Sequence, residues 1–380
     1  MKIRKVTAAD LKLGMLIPWN VYGENGVLLV RKGHMITSAN QIAYLIERGS
    51  FEDHEDYDSK PASQEPPSAL RKLNAAYVEL PILLEAVAQR AAPPGLRRRL
   101  EDIATMIHDA VHLSADIATA SVMHNQHQAP YAARHSVNTA VVATIMAKAR
   151  QRSRDEIDAV TLAALTMNVG MQEHHQRWQD SDAALDPADR ARMLAHPERG
   201  VELLRAAGIQ DEAWLGCVLH HHENEDGTGY PLGKVGAQIP LPAKLLALAD
   251  RYCARVSERS YRPTMTPNAA LRDILLESRT TLDSNLASLM IRELGIYPIG
   301  SYVRMINGEV GVVSRRGLQS TTPHVESVIG PRGAPLDVFL QRDTRNELHT
   351  IREVLSNAQV AAMAAPPLRM EQVWGRAAAL

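Results

Sequence analysis

The stretch "LHHHENEDGTGYP" (219–231) sets three adjacent histidines, His220, His221 and His222, against a turn rich in acid and glycine. Neutral imidazole and carboxylate suit first-row divalent metals such as zinc, iron, manganese or nickel. Successive residues on a helix point about 100° apart, so His221 and His222 can approach one cavity from two sides. Three further segments offer donors of the same kind: His135 in "RHSVN", His196 in "AHPERG" and Asp250 in "LALADRYCA". Eleven of the fifteen histidines lie between His108 and His222, which places any such chemistry in that part of the chain. A lone histidine is more often a satisfied core residue than a ligand, so the case rests on the whole set.

The elements that must position this set are helices. From about residue 69 to 292 nearly every segment has helical periodicity, as in "SVNTAVVATIMAKA", where Val137, Val141, Ile145 and Met146 fall close to a spacing of four. "DEIDAVTLAALTMNVGM" and "DEAWLGCVLHHH" repeat the pattern, and Pro and Gly collect between the runs. We expect a mainly α protein: a helical lead-in over 69–128 and a helical domain over 129–296. Ahead of it, residues 1–50 read as a small α+β module, with Thr37 or Ser38 capping a helix that stops at Gly49. Residues 51–68, acidic and rich in Ser and Pro, read as a linker. A β-containing extension is expected over 297–360, where Asn307-Gly308 between alternating apolar runs signals a hairpin. Residues 361–380 read as a loosely ordered tail.

Composition excludes several classes. With 45% hydrophobic and 22% charged residues and a formal net charge of −1, the chain lacks the Lys and Arg excess of a broad nucleic-acid surface. No run reaches the roughly 18–20 apolar residues that cross a bilayer, and "MKIRKVTAADLKLGM" has no apolar core of signal-peptide type. Cys217 and Cys253 cannot make a disulfide framework, so a cytoplasmic location is expected.

Order and spacing make the set specific. His135-Ser136, His196-Pro197 with Gly200, His221-His222-Glu223, Asp226-Gly227, Gly229-Tyr230-Pro231, Asp250, and Arg259 with Tyr261 and Arg262 follow one another over about 130–275. This series resembles the HD-GYP family of bacterial cyclic-di-GMP phosphodiesterases, and implies an HD-domain-like helical bundle. The resemblance implies metal ligands at His135, His196, His221, His222 and Asp250. It also implies a nucleotide-cleft lip and a docking surface for diguanylate cyclase (GGDEF) domains at Asp226, Gly227, Gly229, Tyr230 and Pro231. Lys244, Arg259 and Arg262 are candidates for a phosphate-binding face.

One departure bears on activity. Where the family reads His-Asp-x-Gly-Lys, this chain has Met167-Asn168-Val169-Gly170-Met171. In the family, that His and Asp bind metal and the Lys touches a substrate phosphate. A two-metal phosphodiester hydrolase holds its ions about 3.5–4 Å apart, and a thioether and a neutral amide are poor substitutes for a hard bridging ligand. By family correspondence one metal position keeps only His135 and Asp250, while the other keeps His196, His221 and His222. Three imidazoles can hold one ion. Glu173, His174 and His175 lie just beyond the lost pair and offer compensation only if a loop folds back. His108 and His112, four apart, read as a solvated helix face. Tyr131 stands where some members carry a glutamate for a third metal.

The reading favoured is therefore a degenerate HD-GYP protein in bacterial cyclic-di-GMP signalling, catalytically impaired, serving as a nucleotide receptor or docking module. The alternative is an active metal-dependent cyclic-di-GMP phosphodiesterase using the remaining His and Asp ligands. Its expected cofactor is one divalent ion (Fe, Mn, Zn or Ni) at His196, His221 and His222. Expected partners are cyclic-di-GMP or a related nucleotide, GGDEF proteins and a second copy of the chain, with no nucleic-acid polymer and no membrane.

Overall fold

The computed structural model describes all residues except 1, 9, 12–14, 16, 18, 24–27, 31–35, 37–38, 54–66, 126–128, 181–184, 258–263 and 364–366. It divides into two compact units, residues 1–65 and 66–380.

The first unit is an antiparallel sheet of β1 (Lys2–Lys5), β2 (Val21–Tyr22), β3 (Leu28–Val30) and β4 (Ser50–Asp53), in the order β1-β4-β2-β3, with α1 (Ala39–Arg48). Val6, Leu11, Ile17, Val21, Ile36 and Leu45 form its core. The helix stops at Gly49 as expected, because a Cβ there would lie 2.5 Å from Leu45 O and 2.6 Å from Val21 Cγ1. Thr37 and Ser38, the expected caps, lie outside the described residues. Strand β4 falls inside the stretch read as linker. Its composition gave no strand signal, and pairing with β1 (Lys2↔Asp53 through Lys5↔Ser50) supplies the hydrogen bonds that make it one.

The second unit is mainly helical. It runs α2 (Ala69–Ala88), α3 (Leu96–Leu113), α4 (Ala115–His124), α5 (Tyr131–Ala149), α6 (Arg154–Thr166), α7 (Gln172–Asp180), α8 (Pro187–Ala206), α9 (Glu212–His220), α10 (Leu241–Val256), α11 (Pro267–Glu277) and α12 (Ser284–Leu294). Several starts are written in the sequence. Ser153 and Glu156 form a reciprocal capping box, and Asp186, Asp211 and Asp283 accept backbone N–H bonds at their helix starts. Helix α5 is buried along nearly its whole length, since small and apolar residues occupy every face, and it packs against α2, α3, α6 and α10.

Five antiparallel strands follow: β5 (Tyr302–Met305), β6 (Val310–Arg315), β7 (His324–Ile329), β8 (Pro335–Asp343) and β9 (Ile351–Leu355), ordered β8-β7-β6-β5-β9. The expected hairpin is β5–β6, turning at Asn307-Gly308, where Gly308 takes φ 92°. Burial joins this sheet to the helices: His124 Nε2–H donates to Gly300 O at 2.5 Å, and its ring meets Tyr302 edge-on at 5.1 Å.

The last residues correct the expected loose tail. Beyond α13 (Asn357–Ala361), α14 (Met370–Trp374) and a 3-10 turn (Gly375–Ala378) pack on the body. Met370 and Ala378 are buried, Trp374 Nε1–H donates to Ser314 O at 2.8 Å, and Ser68 Oγ donates to Ala379 O at 2.6 Å. A few anchoring residues tie down an Ala-rich segment that composition alone makes look featureless. His108 is a second correction. It is buried between α3 and α6, 2.9 Å from Thr161 Oγ1 and 3.3 Å from Asp158 Oδ1, while His112 is exposed.

The 3-10 turn Val169–Met171 lies so close to α8 that a Cβ on Gly170 would sit 2.1 Å from His196 O and 2.6 Å from Gly200 N. Gly170→Ala is expected to destabilise the chain by roughly 1–3 kcal/mol, as overpacking against backbone does. Gly216→Ala, with no atom within 4 Å of its new Cβ, is expected to stabilise by about 0.5–1 kcal/mol through helix propensity. Urea unfolding of both variants checks the contrast.

Burial pushes His108 and His124 down to about 4. The unfolded chain, titrating near 6.5, therefore binds more protons between those values. Stability contributed by the neutral rings is full above about pH 6.5 and is lost as pH falls toward 4, by roughly 2–3 kcal/mol for each ring. The urea midpoint should drop over that window, and His124→Gln should make the drop shallower.

Candidate metal centre

His196 sits in the middle of α8, directly before Pro197. Proline has no N–H, so the carbonyl four residues back, on Met193, loses its helical donor. His196 Nδ1 fills that gap, 2.6 Å from Met193 O. His221 follows α9, at a helix end where carbonyls have no partner within the helix. Its Nδ1 lies 2.7 Å from Val218 O. A carbonyl can only accept, so both rings carry their proton on Nδ1 and present a bare Nε2.

Those two Nε2 atoms are 3.3 Å apart. His222 completes the group: its ring centroid is 4.1 Å from that of His221 and 5.0 Å from that of His196. One ring nitrogen of each histidine lies within 4.8 Å of the other two. Burial holds His221 below the usual imidazole range, and burial together with the charges of His221 and His196 holds His222 well below it. His221 and His222 are thus neutral at pH 7. Two bare Nε2 atoms facing at this distance repel unless a cation or a proton stands between them, so the set fits a divalent metal.

His135 and Asp250 do not join the group. His135 Nε2–H donates to Asp250 Oδ1 at 2.7 Å, in a pair buried on both sides. Burial would raise the Asp250 carboxyl, but the hydrogen bond from His135 and the charges of His135, His222 and His221 carry it below its ordinary value. Tyr131 stacks on His135, rings parallel within 9° at 5.7 Å. Met167 and Asn168 are buried at the end of α6, one step before the turn that packs on α8, and Met171 closes that turn. Among the described residues, Glu173 and His174 join no metal-capable cluster; His174 instead faces Trp178, with ring centroids 5.4 Å apart. The His175 side chain lies outside what is described.

The Gly-Tyr-Pro turn lies against the histidines. Tyr230 stacks on His222 at 4.6 Å, 24° from parallel, and its N–H donates to His222 O at 3.1 Å. Gly229 is required here, since a Cβ would lie 2.5 Å from His222 O and 2.4 Å from Asn224 N. Gly227 adopts φ 79°. Glu223 organises the turn by accepting the N–H groups of Leu232 and Lys234, and Asp226 accepts from Thr228. Among the described residues neither carboxylate joins the three-histidine group, and Pro231 continues the same turn.

Of the cations read as a phosphate face, Lys244 is engaged with Glu225 at 2.7 Å and is not available in this structure, while Arg259 and Arg262 lie outside the described residues. Arg251 was missed. It follows Asp250 on α10, donates through Nη2 to Asn224 Oδ1 at 2.6 Å, and its charge acts on His221, His222 and Tyr230. The available signal was an arginine placed directly after a ligand-type aspartate.

Residues 117–286 match the family model described as "HD domain". Over these residues the chain is similar to HD domains. The resemblance to HD-GYP proteins is borne out by the relatives of the HD domain. A cyclic di-GMP phosphodiesterase of Pseudomonas aeruginosa is 31% identical over 205 residues, covering 53% of this chain and 49% of that protein. A cyclic di-GMP phosphodiesterase response regulator of Xanthomonas campestris is 31% identical over 154 residues, covering 40% of each. The chain thus spans about half or less of the length of these curated relatives. Among solved structures, an HDG"Y"P protein from Bdellovibrio bacteriovorus matches with a TM-score of 0.50 at 14% identity, covering 76% of this chain and 98% of that one, which shows a shared fold. Among the described residues no helix is long and apolar enough to cross a membrane.

The proline makes a specific prediction. Pro197→Ala restores a backbone N–H that competes with His196 for Met193 O. Affinity for Mn or Zn should fall about tenfold or more, as loss of a ligand's orienting bond does, without loss of thermal stability. Titration by calorimetry alongside a melting curve checks both. His135→Ala, outside the three-histidine group, should leave the content at one ion per chain.

Proposed function

We propose that the chain is a degenerate HD-GYP protein of cyclic-di-GMP signalling: it binds one divalent metal at His196, His221 and His222, is impaired in hydrolysis, and serves as a cyclic-dinucleotide receptor. The observation that carries this reading is the buried Met167-Asn168 pair, held beside α8 by the close packing of Gly170, with His135 and Asp250 bonded to each other. A metal at the three imidazoles would supply Lewis-acid polarisation of a phosphoryl oxygen and a lowered pKa for water. Tyr230, stacked on His222, supplies an aromatic wall on which a purine can lie. The lip formed by Asp226, Gly227, Gly229, Tyr230 and Pro231 presents Leu232 and Val235 to solvent, which supports its use as a docking surface for GGDEF-type partners. Relatives named as 3'3'-cGAMP-specific phosphodiesterases, one 29% identical over 174 residues in Vibrio cholerae, widen the ligand class to cyclic dinucleotides.

A second reading has its own support. The open three-histidine group is a donor set that can sustain metal-assisted hydrolysis, so an active phosphodiesterase is the alternative.

The test is restoration. The triple variant Met167→His, Asn168→Asp, Met171→Lys is expected to raise metal content from one to two ions per chain. Hydrolysis of cyclic-di-GMP, measured with Mn or Fe(II) by chromatography of the linear product, should rise by at least about a hundredfold, the scale of losing a ligand-level contribution to catalysis. If the unaltered chain already turns over at the restored rate, and His222→Ala abolishes that turnover, the impaired reading is wrong and the alternative stands.

A further inference from the structure

Arg251 is an unusual cation. It is largely enclosed, and its Nη1 is buried with no hydrogen-bond partner among the described residues. Among the described residues no carboxylate lies within ion-pair distance of it, although burial lowers its pKa against the pull of Glu277 and Asp250. Both carboxylates are taken: Glu277 is paired with Arg255, and Asp250 with His135. An enclosed guanidinium without a counter-ion is costly, and its five N–H donors match an oxyanion.

Position supplies the rest. The Nη2 bond to Asn224, two residues after His222, ties the guanidinium to the base of the Gly-Tyr-Pro turn. Its charge reaches His221, His222, Tyr230 and Asp226. Met171 stands where the family resemblance puts a phosphate-contacting lysine, and Lys244 is bound to Glu225.

We propose that Arg251 is the phosphate-binding residue of this site, its unpartnered Nη1 edge receiving a phosphodiester oxygen of the nucleotide beside the three-histidine centre. This rests on the cyclic-dinucleotide reading above. It moves the cation from the end of α6 to α10 and makes the turn, through Asn224, part of the phosphate site. An arginine fork keeps its charge when enclosed and can hold Asn224 and a phosphate oxygen at once.

The full-length, metal-loaded chain is titrated with cyclic-di-GMP by calorimetry, with metal content and melting temperature measured in parallel. Arg251→Gln should weaken binding about ten- to hundredfold, the scale of a lost charge-assisted hydrogen bond, with metal content unchanged. Arg251→Lys should recover part of it, and the salt dependence of binding should flatten in the Gln variant only. Equal affinity of R251Q and the unaltered chain overturns the proposal. Should R251Q fail to fold, Asn224→Ala frees the guanidinium without removing it: a severalfold loss of affinity supports the proposal and an unchanged affinity overturns it. If the unaltered chain binds no cyclic-di-GMP, the functional reading fails, and inorganic phosphate followed by phosphorus NMR decides Arg251 separately. Phosphate broadened by the unaltered chain and not by R251Q sustains the assignment; phosphate bound by neither, or equally by both, overturns it.

Discussion

The carbonyl of Met193 has no backbone donor because Pro197 has no N–H, and the metal centre follows from how that gap is filled. An unpaired buried carbonyl costs on the order of 1–3 kcal/mol, and His196 Nδ1–H removes that cost while turning Nε2 outward. Val218 and His221 repeat the arrangement at the end of α9. Backbone groups that two helices cannot use thus select the tautomers of two imidazoles and aim their lone pairs at one point. The orientation is a by-product of satisfying the helices, and it ties donor geometry to helix integrity.

A second constraint determines what the centre lacks. The turn after α6 and helix α8 approach so closely at Gly170 that no side chain fits, which fixes that turn against the backbone of His196 and Gly200. Trp214 reinforces the seam from α9, its Nε1–H donating to Thr166 Oγ1 at 2.8 Å. Met167 and Asn168 occupy the positions at which the HD-GYP pattern reads His-Asp. His135 Nε2–H and Asp250 Oδ1 bond to one another. The bond satisfies His135 Nε2 and Asp250 Oδ1, while His135 Nδ1 is buried with no hydrogen-bond partner among the described residues.

The β-sheet extension and the final helix belong to the same unit as the helical body. Val303, Met305, Val313 and Val325 share its main core with α2–α6 and α8–α12, and Met370 and Ala378 close over it. His124 and Trp374 place hydrogen bonds across these seams, each from a ring nitrogen to a backbone carbonyl.

Much was legible in the residues themselves. The capping serines and aspartates, the period of the apolar positions, the Asn-Gly turn and the ordered histidine segments determined a mainly α body with terminal β elements and a three-histidine group. These are local signals, carried by neighbours in the chain. The sequence alone did not separate His108, buried on Thr161, from His112 in solvent, because four-residue spacing sets a common face and leaves open what covers it. Nor did it show β4, which is a strand by virtue of its pairing with β1 and β2, or the packed tail, held by a few long-range anchors. Tertiary structure alone decided that His135 and Asp250 bond to each other, that Lys244 is spent on Glu225, and that Arg251 is enclosed near Asn224 with no counter-ion among the described residues. Pairing of charges depends on which side chains meet across helices far apart in sequence. That is a property of packing, and local pattern carries no record of it.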